Sequence, residues 1–157
     1  GGVVIDRLAK EGNRTAVAFP RAMKDGLDFS FSGLKTSLLM HLRKRGGAGS
    51  IPPEDLPDLA ASYQEAIVDV LVEKTLRAAA MTSVSRIVVC GGVAANSRLR
   101  DRFRCDAARS GMEFFVPPPV LCTDNAAMIA VVGGHLLQEG HRDRLDLNAV
   151  SRWPLAC

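Results

Sequence analysis

Apolar positions along this chain follow two rhythms, a recurrence every three to four residues and short continuous runs, and together they predict an α/β chain with more helix than strand. Residues 3–10, with Val4 and Leu8 one turn apart, predict a short helix closed by the Gly12-Asn13 turn signal. Phe19-Pro20 marks extended chain, and residues 27–31 alternate apolar and polar as a strand does. Ser32-Gly33 then opens a helix carrying Leu34, Leu38, Leu39 and Leu42. Residues 46–57 hold three Gly and three Pro, a composition that predicts a mobile surface connection.

The firmest helix follows, with Leu59, Tyr63, Ile67, Val70 and Leu71 on one stripe, Asp58 at its positive end and Lys74 and Arg77 at the other. The β-branched run Ile87-Val88-Val89, bounded by Gly91-Gly92, predicts a strand buried on both faces. A helix beginning near Asn96 buries Leu99, Phe103, Ala107 and Ala108, and Gly111 stops it before a strand at residues 113–116. Past Pro117-Pro118-Pro119, Thr123-Asp124-Asn125 starts a helix at residues 126–137 that is apolar almost all round and is expected to pack on most of its circumference. The tail, residues 141–157, is expected to wrap the surface with Trp153 as its anchor.

With 157 residues, 47% of them apolar and 24% charged, the chain can bury one sizeable core, and a single domain over residues 1–157 is the expectation. No run reaches the 18 or so apolar residues of a membrane span, so no membrane partner is expected. Cys90, Cys105, Cys122 and Cys157 form no C-x-x-C pair, which argues against a zinc knuckle or disulfide framework and fits a reducing, cytoplasmic compartment. The first residue is Gly, not Met, which suggests a fragment or a processed chain.

The net charge of +3 is concentrated in two places, Lys35 with Arg43, Lys44 and Arg45, and Arg98 with Arg100, Arg102 and Arg104. Each set is either a solvated helix face or a nucleic-acid contact. Gly91-Gly92-Val93-Ala94-Ala95-Asn96 joins a strand to a helix, where glycine serves a sharp turn as well as a phosphate or nucleotide brought close to backbone N–H groups. Asp124 serves as a helix cap or as a metal ligand, and a lone carboxylate needs further ligands to hold a transition metal. His135 and His141 do not share a helix face, His41 lies beside the basic cluster, and Ser30 and Ser32 read as turn or cap residues.

Four segments, Phe29-Ser30-Phe31-Ser32-Gly33-Leu34-Lys35-Thr36, the Gly91 to Asn96 turn, the run from Cys122 to Ala130 and Arg152-Trp153-Pro154-Leu155, stand in the order and spacing of the TsaD family. Across all 157 residues the chain resembles the C-terminal half of that family of tRNA threonylcarbamoyltransferases. The resemblance implies half of an actin-like ATPase (ASKHA, ribonuclease H-like) fold, helix-rich with a small sheet. It implies transfer of a threonylcarbamoyl group from threonylcarbamoyl-adenylate to N6 of the adenosine next to the anticodon, in tRNAs that read codons beginning with A. Gly2, Asp6, Gly91, Gly92 and Asn96 are then expected at the nucleotide, threonylcarbamoyl-adenylate or ATP, with Asp6 on the ribose hydroxyls, and Asp124 as a ligand of one divalent metal ion, iron or zinc. Lys35, Arg43, Lys44 and Arg45, and the arginines after Asn96, become candidate tRNA contacts.

By the same resemblance two metal-binding histidines and a phosphate-binding segment belong to the N-terminal half, so the isolated chain is expected neither to catalyse transfer nor to hold metal tightly. Expected partners are tRNA, that N-terminal half, and the inactive paralogue and ATPase subunits of a threonylcarbamoylation complex. A non-catalytic assembly module is the alternative, with an apolar face exposed where the other half would cover it. A metalloendopeptidase is the remaining reading, and no H-E-x-x-H motif supports it.

Overall fold

In the computed structural model, which describes residues 1–23, 25–148 and 150, the chain divides into two compact units, Gly1–Thr123 and Asp124–Cys157. In the first unit the elements run α1 (Gly2–Ala9), α2 (Ser32–Lys44), α3 (Leu56–Met81), β1 (Arg86–Val88), α4 (Ser97–Arg109) and β2 (Glu113–Phe115). The second unit holds α5 (Ala126–Gln138). The result is helix-rich α/β with a sheet of two strands.

The spine of the first unit is α3, about 39 Å long at 1.5 Å per residue. Pro57 sits in its first turn, where a missing N–H costs nothing, and Asp58 places negative charge at the positive end of the dipole. Two apolar clusters lie along it. One joins Val68, Val72 and Ala79 to Ile87, Leu99 and Phe103, with Phe114 stacked on Phe103 at 5.4 Å. The other joins Ala66 to Phe19 and Leu34, with Tyr63 edge-on to Phe19. Because α3 is covered from several sides, it also buries Ser62, Gln64, Glu65 and Lys74, and each has a bonded partner.

Lys74 was expected near the C-terminal end of its helix, but α3 continues to Met81 and leaves Lys74 in its interior. Its ammonium donates to the carbonyls of Met23, Gly26 and Asp28 and lies 5.7 Å from the Phe29 ring centre. A second difference is the absence of the strand predicted at residues 27–31: the segment runs irregularly, and within it the Asp28 carbonyl is taken up by the lysine and not by a neighbouring strand. The Gly/Pro-rich connection is likewise more structured than its composition suggests. It forms short 3-10 turns at Ala48–Ser50 and Pro53–Asp55, buries Ile51 and is tied by an Arg45–Asp55 ion pair.

The βαβ unit follows the predicted order. Strands β1 and β2 are parallel, in the register Arg86 to Glu113, Ile87 to Phe114 and Val88 to Phe115, with α4 as the crossover. Gly111, at φ +68°, ends α4 while the Met112 N–H returns to Ala107 O at 2.9 Å. The strand at Ile87 is not buried on both faces, however. Ile87 and Phe114 face the core, whereas Val88 and Phe115 on the opposite face are 66% and 49% exposed. Period-two geometry makes one face of a two-stranded sheet available to α4 and leaves the other bare.

In the second unit Asn125 caps α5, accepting from the Met128 N–H at 3.0 Å, and Gly140 at φ +89° follows its end. The expected packing round this helix is not found, since none of its residues is buried. Its own unit offers only turns as neighbours among the described residues. Trp153 and the Arg152-Trp153-Pro154-Leu155 segment lie outside the described residues.

Candidate functional site

A cavity of about 520 Å³ opens in the first unit where α1, α3 and the glycine turn meet. It brings Gly2 and Asp6 of α1 against Gly92 and Asn96 across some ninety positions of sequence, with Gln64 and Ile67 of α3 on the same wall. The turn is built by Gly91, whose φ of +84° suits glycine and whose carbonyl accepts from the Ala94 N–H at 2.9 Å. Gly91 shapes the turn and does not itself line the cavity.

Asp6 and Asn96 together fix the start of α4. Asn96 Oδ1 accepts from the Leu99 N–H at 2.9 Å as a side-chain cap, while its Nδ2 donates to Gln64 Oε1 at 2.7 Å. The Asp6 carboxylate accepts from the Ser97 hydroxyl at 2.9 Å and from the Ser97 N–H at 3.2 Å. A carboxylate at a helix N-terminus is stabilised there by the dipole. It keeps lone pairs that a ligand hydroxyl can use, since a carboxylate has about four acceptor sites.

Charge of both signs stands behind this wall. Arg98 grips Glu65 with two bonds of 2.7 and 2.6 Å, and Arg102 reaches Glu65 at 3.0 Å, Asp69 at 2.9 Å and Asp106 at 2.6 Å. Burial opposes charge on Glu65, but the Arg98 hydrogen bond and the charges of Arg98, Arg102 and Arg14 outweigh it and hold the carboxyl below its ordinary value. Arg100 donates to the carbonyls of Ala94 and Pro117 and to Cys122 Sγ, tying the turn to the loop beyond β2. Of the arginines proposed as tRNA contacts after Asn96, three are thus engaged inside the protein, and Arg104 pairs with Asp101 at 2.9 Å on the surface.

The matching family model is TsaD, tRNA N6-adenosine threonylcarbamoyltransferase, over residues 1–131. The chain belongs to the TsaD family. Relatives bearing the same name include proteins of Syntrophus aciditrophicus, 66% identical, Anaeromyxobacter dehalogenans, 58%, and Geobacter metallireducens, 50%. Each comparison covers 99% of this chain but only 45% to 46% of the relative. The chain therefore spans about half the length of the relatives it matches.

Of the expected site residues, Gly2, Asp6, Gly92 and Asn96 share the cavity, with Gly91 at its turn. Asp124 lies in the second unit and is exposed, and Asn125, not Asp124, caps α5. Among the described residues no three His, Cys, Asp or Glu side chains are grouped to hold a metal ion. The described residues do not by themselves fit the metal that the resemblance implies. His135 and His141 flank Glu139 at 3.2 and 3.9 Å on the surface.

Lys35, Arg43 and Lys44 are exposed on α2, and Arg45 is neutralised by Asp55. No helix among the described residues is long and apolar enough to cross a membrane. Sequence reasoning missed Gln64. Its signal is a lone amide in register with Ile67, Val68 and Leu71, at i, i+3, i+4 and i+7 on α3.

Proposed function

We propose that this chain supplies part of the nucleotide site of a tRNA N6-adenosine threonylcarbamoyltransferase built on an actin-like ATPase fold and working in the cytoplasm. The supporting observation is the convergence of Asp6 and Asn96 on one cavity beside a glycine turn. Threonylcarbamoyl-adenylate binds there, with its ribose hydroxyls donating to Asp6. N6 of the tRNA adenosine attacks the carbamoyl carbon, a C–N bond forms, the C–O bond breaks with its electron pair leaving on the AMP phosphate, and N6 gives up a proton to solvent. Lys35, Arg43 and Lys44 are the cations of α2 available to the tRNA backbone, since Arg45 is already paired.

The complete protein holds one divalent metal ion, iron or zinc, with Asp124 as one ligand and its other ligands from the remaining length of the relatives. The inactive paralogue and ATPase subunits of the modification complex are the proposed protein partners. The exposed sheet face at Val88 and Phe115 favours a second reading, in which this piece is a non-catalytic assembly module.

Calorimetric titration of threonylcarbamoyl-adenylate into this chain, with and without a separately expressed N-terminal half, separates the readings. Binding that needs both halves and falls at least tenfold in Asn96→Ala supports the split nucleotide site. Absence of binding in both preparations favours the assembly module.

A further inference from the structure

Gln64 is 7% exposed, yet it lines the cavity, and its bonding is determined by its neighbour. Asn96 Oδ1 is committed to the Leu99 N–H, so Asn96 can offer Gln64 only its Nδ2 donor. Gln64 must answer with Oε1, at 2.7 Å, and this fixes which end of its amide is oxygen. The other end, Nε2, carries two donors and has no partner among the described residues, while no buried side-chain nitrogen or oxygen there is both walled off and unbonded. An amide this deeply buried retains an unspent donor only at a surface it can reach, and the surface beside it is the cavity wall.

The same wall is otherwise aliphatic. Ile67, Val68 and Leu71 follow Gln64 along α3, and Leu99 of α4 lines the cavity with them, clustered with Val68 and Leu71. An aliphatic recess with a single amide NH2 as its donor group suits a flat heterocycle bearing a ring acceptor, and it does not suit a phosphate, which calls for several donor groups or cations. We infer that Gln64 is a ligand-contacting residue that donates from Nε2 to a ring nitrogen of the nucleotide's base. This rests on the nucleotide reading of the cavity. It assigns the base to the α3 wall and leaves the ribose to Asp6.

The test uses the intact gene product and AMP as the calorimetric probe. Gln64→Glu keeps an acceptor for Asn96 Nδ2 but loses the donor, whereas Gln64→Leu loses both. A base contact predicts affinity about tenfold weaker in both variants. Wild-type affinity in Gln64→Glu alongside weakened Asn96→Ala overturns the inference and leaves the nucleotide reading standing, because Gln64 would then merely position Asn96. If the wild type does not bind AMP, or Asn96→Ala is neutral, the nucleotide reading itself fails and takes the inference with it.

Should circular dichroism find either Gln64 variant unfolded, the unaltered protein decides through AMP analogues in which each ring nitrogen in turn is replaced by C–H. One analogue about tenfold weaker than AMP supports the contact. Equal affinities across the series reject it.

Discussion

Gly12 illustrates how a residue read one way from sequence acts in another. The Gly12-Asn13 pair reads as a turn, yet Gly12 needs no positive φ. Its requirement is space, since a Cβ there would lie 2.0 Å from Pro57 O at the start of α3. Nearby, Asn13 donates its N–H to Asp58 at 2.7 Å, and its carbonyl accepts from Ser62 Oγ at 3.0 Å. Gly12→Ala therefore has to force backbone from backbone, and a loss of about 3 kcal/mol is expected in urea unfolding, at the upper end of ordinary overpacking. Gly33→Ala, with nothing within 4 Å of the added carbon and a helical position, is expected to be neutral or stabilising by the same measurement.

The elements are joined by buried polar groups as much as by apolar contact, and α3 carries most of them. Lys74 serves three carbonyls of the segment before α2, so Lys74→Met leaves them without their shared donor. A loss of about 1–3 kcal/mol is expected, with faster amide exchange concentrated in residues 20–31. Unaltered exchange there would show that the clamp does not hold the segment. Glu65 couples α3 to α4, and its folded-state value lies below the ordinary 4.5 of an unpaired carboxyl. The stability it contributes is complete above that pH and is lost as pH falls through the lower folded value. Glu65→Gln should therefore be less stable at neutral pH and show a shallower loss on acidification, followed by thermal unfolding from pH 7 downward. An unchanged acid limb would assign the acid sensitivity to other carboxylates.

At the scale of the molecule, the first unit carries a folded βαβ core whose sheet has one covered face and one apolar face exposed at Val88 and Phe115. Concentration-dependent self-association is expected by sedimentation equilibrium, reduced in the Val88→Thr, Phe115→Thr double variant. Association unaffected by those substitutions would place the contact elsewhere. Periodicity in the sequence determined α1, α3, α4 and the order of the two strands, because those signals come from residues a few positions apart. The four motif segments were enough to place the chain in its family, and the glycine turn with Asn96 at the start of α4 was legible because a strand-to-helix turn is local. Only tertiary structure decided that Lys74 clamps a loop in place of a strand, that arginines after Asn96 are spent on Glu65, Asp69 and backbone carbonyls, and that Gln64 belongs to the cavity. Most of these contacts join groups more than thirty positions apart, and a buried polar side chain takes its role from the partner that satisfies it, which no local pattern specifies.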